Sequence, residues 1–427
     1  MRFDEAVAEL DSRIPSRMIP DLTRITALTE MMGDPQLTYP SIHVTGTNGK
    51  TTTSRFVSAL SCAHGITSGL YTSPHLESVV ERLSSCGEPI SQEAFAEQYE
   101  RLLPFLHVVD ELGEKVTFFE VLTALAYMWF SDKPVSLGVF EVGMGGEWDA
   151  TNLVSGDVAI ICPIALDHPE LGPTIAEKAQ EKAGIIKEGK IVVVREQPPD
   201  ALGVIEARAR DVGARLLLED ADFSTEDRAN AFGGQLITVR GLHGIYEDLM
   251  LPVFGEHAAR NASAAIVAME AFLDRPLADV ETRAAFAEIG SPGRLEVIGR
   301  HPLVILDGAH NPAGAAALAD ALEESFTWDQ LFLVVAVSSD KDVAGILDPL
   351  APTVTRAFAT SYRGARAVGP DELASRCGAA GIPSEACPTI RDALGEAAEV
   401  AGDTDLILVT GSLFTVAEAR ALLAGSA

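Results

Sequence analysis

Apolar positions along the chain recur with two periods. From Pro40 onward, short β-branched runs at residues 42–45, 67–71, 135–142, 158–164 and 191–194 alternate with stretches such as Phe56, Val57 and Leu60, whose apolar residues fall at helical spacing. Buried strands separated by crossover helices produce this alternation, so a mostly parallel sheet wrapped by helices is predicted, with ligands at the carboxyl ends of its strands. Ahead of it, Leu22, Ile25, Leu28 and Met31 predict a helix within an entry segment of residues 1–40. The longest strongly apolar stretch, residues 121–130, is too short to cross a bilayer and predicts a buried helix. Residues 200–248 are weaker in pattern and more polar, and a helix is predicted over residues 256–273. The turn-rich Gly290-Ser291-Pro292-Gly293-Arg294 reads as a hinge. A second series of strands follows at residues 302–307, 331–338, 357–360 and 406–410, with a helix predicted over residues 313–324. The expected class is α/β in two domains, residues 1–293 and a smaller 294–427.

Composition narrows the function classes. The 427 residues carry 62 acidic against 32 basic side chains, a net charge of −30 that argues against nucleic acid or an anionic membrane as partner. An anionic substrate then needs local cations, and of only eight lysines, Lys50, Lys182 and Lys341 fall inside motifs. The N-terminus lacks the basic flank and apolar segment of a signal peptide, so the cytoplasm is expected. The five cysteines are scattered, with no CxxC pair, and are expected to be reduced thiols.

The candidate chemistry starts at Ile42-His43-Val44-Thr45-Gly46-Thr47-Asn48-Gly49-Lys50-Thr51-Thr52-Thr53, a strand running through a glycine turn into a helix. Gly46 and Gly49 let backbone N–H groups approach an anion, Lys50 adds a point charge, and the helix start adds its dipole, so the stretch is read as a phosphate cradle. Thr51 or Thr52 would place a hydroxyl on Mg²⁺. The usual P-loop pattern has a glycine where this chain has Val44. Two further strand ends deliver Glu141, before Val142-Gly143-Met144-Gly145-Gly146, and Asp167-His168. A Mg²⁺ site fits this set, because Mg²⁺ in nucleotide enzymes takes few protein ligands beside phosphate and water.

Further strings stand in one order with these: Tyr71-Thr72-Ser73-Pro74-His75-Leu76, Thr117-Phe118-Phe119-Glu120, Asp149-Ala150-Thr151-Asn152, Glu181-Lys182-Ala183-Gly184-Ile185, Asp307-Gly308-Ala309-His310-Asn311-Pro312, Asp340-Lys341-Asp342 and Gly411-Ser412-Leu413. Together the sequence closely resembles the folylpolyglutamate synthase and dihydrofolate synthase family of the Mur ligase superfamily, from its N-terminal helices to about Arg420. The resemblance implies a P-loop domain followed by a smaller Rossmann-like domain, and an ATP-dependent ligase joining glutamate to a pterin or folate carboxylate through an acyl phosphate. By the match, Thr47, Asn48, Gly49, Lys50 and Thr51, with Asn261, Arg294 and Asp307, serve ATP. Ser73, Glu141 and His168 would hold Mg²⁺, as one ion or two, and a monovalent cation such as K⁺ would be a further cofactor. Lys182 matches a lysine that the family carries as a CO₂ adduct, which makes Lys50, Glu141, His168 and Lys182 the implied catalytic set. Thr117, Phe118, Phe119, Glu120, Trp148, Asp149 and Ala150 match the pterin pocket, and His310 and Ser412 the glutamate side. The resemblance also implies closure of the second domain over ATP and action as a monomer.

Three departures bear on the acceptor. Glu147-Trp148-Asp149 stands where many relatives carry Arg-Leu-Asp, Ala258 where Gln is usual, and the Asp167-to-Gly172 loop is one residue shorter. The alternatives are a Mur-type ligase acting on another carboxylate and, in a different class, a P-loop ATPase or switch. Only 45 residues precede Gly46, too few for the extra domain of peptidoglycan-type ligases.

Overall fold

The computed structural model describes residues 1–15, 20–287 and 289–424. The chain divides into two compact units, the first holding Met1–Arg228, Leu236–Met250 and Ala259–Ile289, the second Ala229–Gln235, Leu251–Ala258 and the chain from Gly290 onward.

The first sheet contains β1 (Ser41–Thr45), β2 (Ser68–Tyr71), β3 (Leu83–Ser85), β4 (Glu88–Pro89), β5 (Leu137–Glu141), β6 (Val158–Ile161), β7 (Ile191–Val194) and β8 (Arg215–Leu218) in the order β4-β3-β2-β5-β1-β6-β7-β8. All pairings are parallel except those of β3 with β2 and β4. β1 lies at the centre, so the carboxyl ends of β2, β5, β1 and β6 form one rim, where such sheets bind ligands. Every residue of β1 and β5 is buried, as a strand covered on both faces requires.

One face is covered by helix Phe118–Asp132, whose residues 120–130 are all buried. Its Phe130 packs with Tyr39 and Phe140, ring centroids 6.3 and 5.6 Å away. Gly69 and Gly138 make room for these rings: a Cβ at Gly69 would stand 2.5 Å from Phe130, and one at Gly138 would stand 2.6 Å from Phe140. Helix Lys50–Ala63 starts directly after Gly49, which is left-handed at φ 88°. Its cap residue has no side chain, which leaves the first-turn N–H groups to serve a ligand.

The region after residue 200, whose weaker and more polar pattern predicted no particular elements, is regular in structure. It holds helix Pro199–Asp211, then β8, then β9 (Ser224–Ala231), β10 (Gly234–Arg240) and β11 (Ile245–Leu251) as a separate three-stranded sheet. β9 and β11 bury only part of each face and β10 buries one face alone, through Gln235, Ile237 and Val239, so their apolar signal is dilute. Helix Glu256–Leu273 lies where it was predicted.

The second unit's sheet holds β12 (Glu296–Arg300), β13 (Leu303–Leu306), β14 (Leu331–Val335), β15 (Val354–Ala359), β16 (Ser384–Ala386) and β17 (Leu406–Thr410) in the order β12-β13-β17-β14-β15-β16. It is parallel apart from the β12–β13 pair. Helices such as Pro312–Ser325 cover a core built from Leu318, Leu322, Leu333, Val335, Ile346 and Leu408. The α/β class with two mostly parallel sheets is therefore as expected.

The cysteine expectation is corrected. Cys62 and Cys86 form a disulfide with Cα atoms 5.7 Å apart, while Cys162, Cys377 and Cys387 are buried thiols. Cys86 and Gly87, both with positive φ, make the two-residue turn between β3 and β4. Pairing of β3 with β2 carries that turn to the end of the helix holding Cys62, a proximity that spacing alone cannot show. Thiol titration in denaturant is expected to give three reactive groups without reductant and five with it. Closing the loop between the two residues is worth about 3 kcal/mol in the chain-entropy estimate, so reduction should lower the urea midpoint measurably. Five thiols before reduction would refute the pairing.

Candidate active site

The rim is built around the loop that leaves β1. Gly46 sits at φ 143°, and a Cβ there would stand 2.6 Å from Cys162 Cβ, so only glycine lets the loop lie against the end of β6. Thr47 N donates to Pro163 O (2.9 Å), and the Thr47 hydroxyl lies between Ala165 O (3.2 Å) and Ala165 N (3.0 Å). The loop is thereby pinned to the segment after β6. Lys50 Nζ donates back to Gly46 O (3.1 Å) and Thr47 O (3.3 Å). Two glycines, a lysine and an uncapped helix start thus meet in one turn, the arrangement that holds phosphate.

Lys182, on helix Ile175–Ala183, is buried, and its Nζ also donates to Gly46 O (2.8 Å). Burial first, then the positive charge of Lys50, pushes its ammonium down to about 7. A buried amine that is readily neutral at physiological pH can act as a nucleophile toward CO₂. Its neighbour Glu181 is raised chiefly by burial and accepts from Trp148 N (3.2 Å).

Glu141 ends β5 fully buried beside the loop. Its Oε1 accepts from Thr51 Oγ1 (2.7 Å) and its Oε2 from Ser73 N (3.2 Å). The carboxylate therefore joins the helix after Gly49 to the segment that follows β2. Among the described residues no three His, Cys, Asp or Glu side chains converge as a metal site. One carboxylate flanked by Thr51 and Ser73 at a phosphate loop nevertheless suits Mg²⁺, which takes much of its shell from phosphate and water. His168 is left-handed at φ 53°, with Nε2 3.7 Å from Asp167 Oδ2. Its loop is fixed by buried Lys178, which donates to His168 O and Gly172 O (both 2.8 Å).

The residues expected on the acceptor side form a connected wall. Thr117 caps helix Phe118–Asp132 in a box with Glu120, whose carboxylate accepts from Thr117 N (2.8 Å) and pairs with Arg24 (3.0 Å). Phe118 lies under the Arg82 guanidinium at 5.3 Å, and Phe119 packs on Tyr71 at 6.0 Å. A Cβ on Gly143 would stand 2.6 Å from Phe119, so the turn after Glu141 touches that ring directly. Asp149 is buried, with Oδ2 accepting from Gly143 N (3.1 Å) and Met144 N (3.0 Å) and Oδ1 accepting from Thr151 N (3.0 Å). Ala150 O accepts from Tyr127 Oη (2.8 Å), and Trp148 is half-buried beside this turn.

Family models for the Mur ligase middle domain and for the Mur ligase glutamate ligase domain match residues 44–269 and 293–413. The chain is 41% identical over 97% of its length, and 92% of the relative's, to the dihydrofolate synthase/folylpolyglutamate synthase of Mycobacterium tuberculosis. The chain belongs to the dihydrofolate synthase/folylpolyglutamate synthase family of Mur ligases. Its structure superposes on Mycobacterium tuberculosis folylpolyglutamate synthase complexed with ADP at TM-score 0.95 and 40% identity, covering 99% and 98% of the two chains. It superposes on Escherichia coli FolC in complex with DHPP and ADP at TM-score 0.89 and 28% identity, covering 100% and 98%.

In this Mur ligase, Asn261 lies against the phosphate loop: a Cβ on Gly49 would stand 2.8 Å from its Oδ1. Arg195 donates to that same oxygen and to Glu219 Oε2 (2.9 Å), while Arg260 takes Glu219 Oε1 (2.8 Å). Within the second unit, Asp307 accepts from Leu295 N (2.9 Å) and Ala309 N (2.8 Å), and burial raises its carboxyl against the opposing charge of Arg294. His310 Nδ1 donates to Gly308 O (2.8 Å), and Ser412 Oγ accepts from Phe414 N (3.2 Å). Sequence reasoning missed Arg82, Arg195, Glu219 and Lys178. Each is a buried charge, a state no local pattern announces.

Gly46→Ala should weaken ADP binding at least tenfold by calorimetry and destabilise the fold by about 1–3 kcal/mol, because its Cβ meets β6. Lys182 ionises near 7 in the folded chain against 10.5 ordinarily. Between these values the unfolded chain binds more protons, so stability rises with pH across that window. Urea unfolding in CO₂-free buffer should show the rise in the wild type and a flatter profile in Lys182→Met.

Proposed function

We propose that this protein is an ATP-dependent ligase that adds L-glutamate to dihydropteroate, to reduced folates, or to both. The observation that carries the reading is the meeting of Lys50, Lys182 and the Gly46–Gly49 turn with Glu141, Thr51 and Ser73, in a chain similar over nearly its whole length to a dihydrofolate synthase/folylpolyglutamate synthase. The reaction begins with two anions. The acceptor carboxylate attacks the γ-phosphorus of ATP, the bond to ADP breaks, and an acyl phosphate forms. The glutamate amine then attacks the acyl carbon, loses a proton, and releases phosphate. Both steps need charge to be screened before covalent change can occur.

The residues divide that work. Thr47, Asn48, Gly49, Lys50 and Thr51 bind the phosphates, with Asn261, Arg294 and Asp307 as further nucleotide contacts. Lys50 neutralises negative charge as it develops, and burial of Glu141 and Lys182 strengthens that interaction by excluding water. Ser73, Glu141, His168 and a CO₂-modified Lys182 would hold Mg²⁺, which supplies Lewis-acid screening of the phosphates when bound. Thr117, Phe118, Phe119, Glu120, Trp148, Asp149 and Ala150 form the pterin or folate side, where Phe119 offers a flat apolar surface and Glu120 and Asp149 hold the helix start and the turn in place. His310 and Ser412 serve glutamate. Residues 1–293 are read as the ATP- and pterin-binding domain and 294–427 as the glutamate-ligase domain of a cytoplasmic monomer.

A mass-resolved product assay with ATP, Mg²⁺ and L-glutamate, run separately on 7,8-dihydropteroate and on a tetrahydrofolate, tests the reading. One glutamate gained on both acceptors is expected of a bifunctional enzyme; gain on the folate alone restricts it to polyglutamylation. ATP hydrolysis with neither acceptor extended would overturn the substrate assignment and direct attention to Glu147 and Trp148.

A further inference from the structure

His43 and Thr45 are two apart on β1, so their side chains leave the same face of the strand that carries the phosphate loop. Both reach the acceptor-side turn. Thr45 Oγ1 donates to Gly145 O (2.8 Å), and His43 Nε2 lies 2.8 Å from Thr151 Oγ1. Thr151 Oγ1 is in turn 2.5 Å from Asp149 Oδ1, and Asp149 holds the N–H groups of Gly143 and Met144.

The donors fix the direction of this chain. Burial raises the Asp149 carboxyl, but it accepts two N–H groups on Oδ2 and one on Oδ1, donors that favour the ionised form and are the pattern of a carboxylate. The single Thr151 hydroxyl proton then goes to Asp149, so Thr151 must accept from His43, and His43 carries its proton on Nε2. Among the described residues its Nδ1 is buried with no partner. An unpaired lone pair there is tolerated more readily than an unpaired N–H would be. Burial, with the nearby charge of Lys187, pushes His43 down to about 3, so the ring stays neutral.

Each neighbour in the same tetrapeptide is also tied down: Ala150 by Tyr127, and Asn152 by Lys187, whose Nζ donates to Asn152 O and Oδ1 (both 2.8 Å). The Thr151 link is the one that runs to β1.

We infer that His43 is a positioning residue for the acceptor pocket: as the neutral Nε2–H tautomer it orients Thr151 and Asp149, which set the Gly143–Met144 turn against Phe119. Through β1 the phosphate loop and the acceptor wall then share one support. The inference rests on the ligase reading for what the pocket binds, and on geometry for the relay itself.

Two measurements test it. Nitrogen-15 spectra of histidine-labelled wild-type protein should show His43 neutral and protonated on Nε2. An Nδ1–H or imidazolium signature would overturn the relay. In the glutamate-addition assay, Thr151→Val, nearly the same shape without the hydroxyl, should raise the acceptor KM about tenfold while leaving the KM for ATP near the wild-type value, and Thr151→Ser should restore it. His43→Leu should match Thr151→Val. A folded Thr151→Val enzyme whose acceptor KM stays within about twofold of wild type would sink the inference, as would equal rises in both KM values, which mark a merely structural role. Wild-type enzyme that adds no glutamate would refute the ligase reading instead, and the tautomer measurement would still decide the relay.

Discussion

The constraint on which the rest depends is the approach of Gly46 to the end of β6. Because no Cβ separates Gly46 from Cys162, the turn lies close enough for Thr47 to bond Pro163 and for two lysines to reach one carbonyl. A chain with a net charge of −30 repels anions over most of its surface. It can handle triphosphate and carboxylates together only where cations are gathered and water is excluded. Lys50 and Lys182 share Gly46 O, and burial first, then the charge of Lys50, pushes the Lys182 ammonium down to about 7. The same packing that makes the loop rigid thus sets the chemistry of the buried amine.

Much of the polar equipment around this loop is engaged by the protein's own backbone and side chains. Glu120 caps a helix and pairs with Arg24, Asp149 gathers backbone N–H groups, Glu219 holds two arginines, and Lys178 ties down two carbonyls. Buried charges of this kind are costly unless fully paired, and once paired they allow little movement. The rigid wall so formed sets the positions of Phe119 and the Gly143 turn, the surface proposed to meet the acceptor. That is where specificity between related pterins would arise.

The strands and helices were legible because burial on one or both faces writes a period into the chain. Residues 191–194 and 406–410 coincide with β7 and β17, and the helix at residues 256–273 with the observed one. The glycine–lysine turn between β1 and its helix was legible too, since glycine and lysine needs are local. β9 to β11 were not, because strands that are half exposed carry little apolar period.

What the sequence determined by itself is therefore the alternating architecture, the glycine–lysine turn after β1 and the family, all of which follow from local periods and ordered motifs. Tertiary structure decided the Cys62–Cys86 bond, the seat of Asn261 against Gly49, the depression of Lys182 and the tie from His43 to Thr151. Each joins residues far apart in the chain. Strand order and register bring them together, and distance and burial, which set whether two thiols bond or an amine stays neutral, exist only once the sheet has formed.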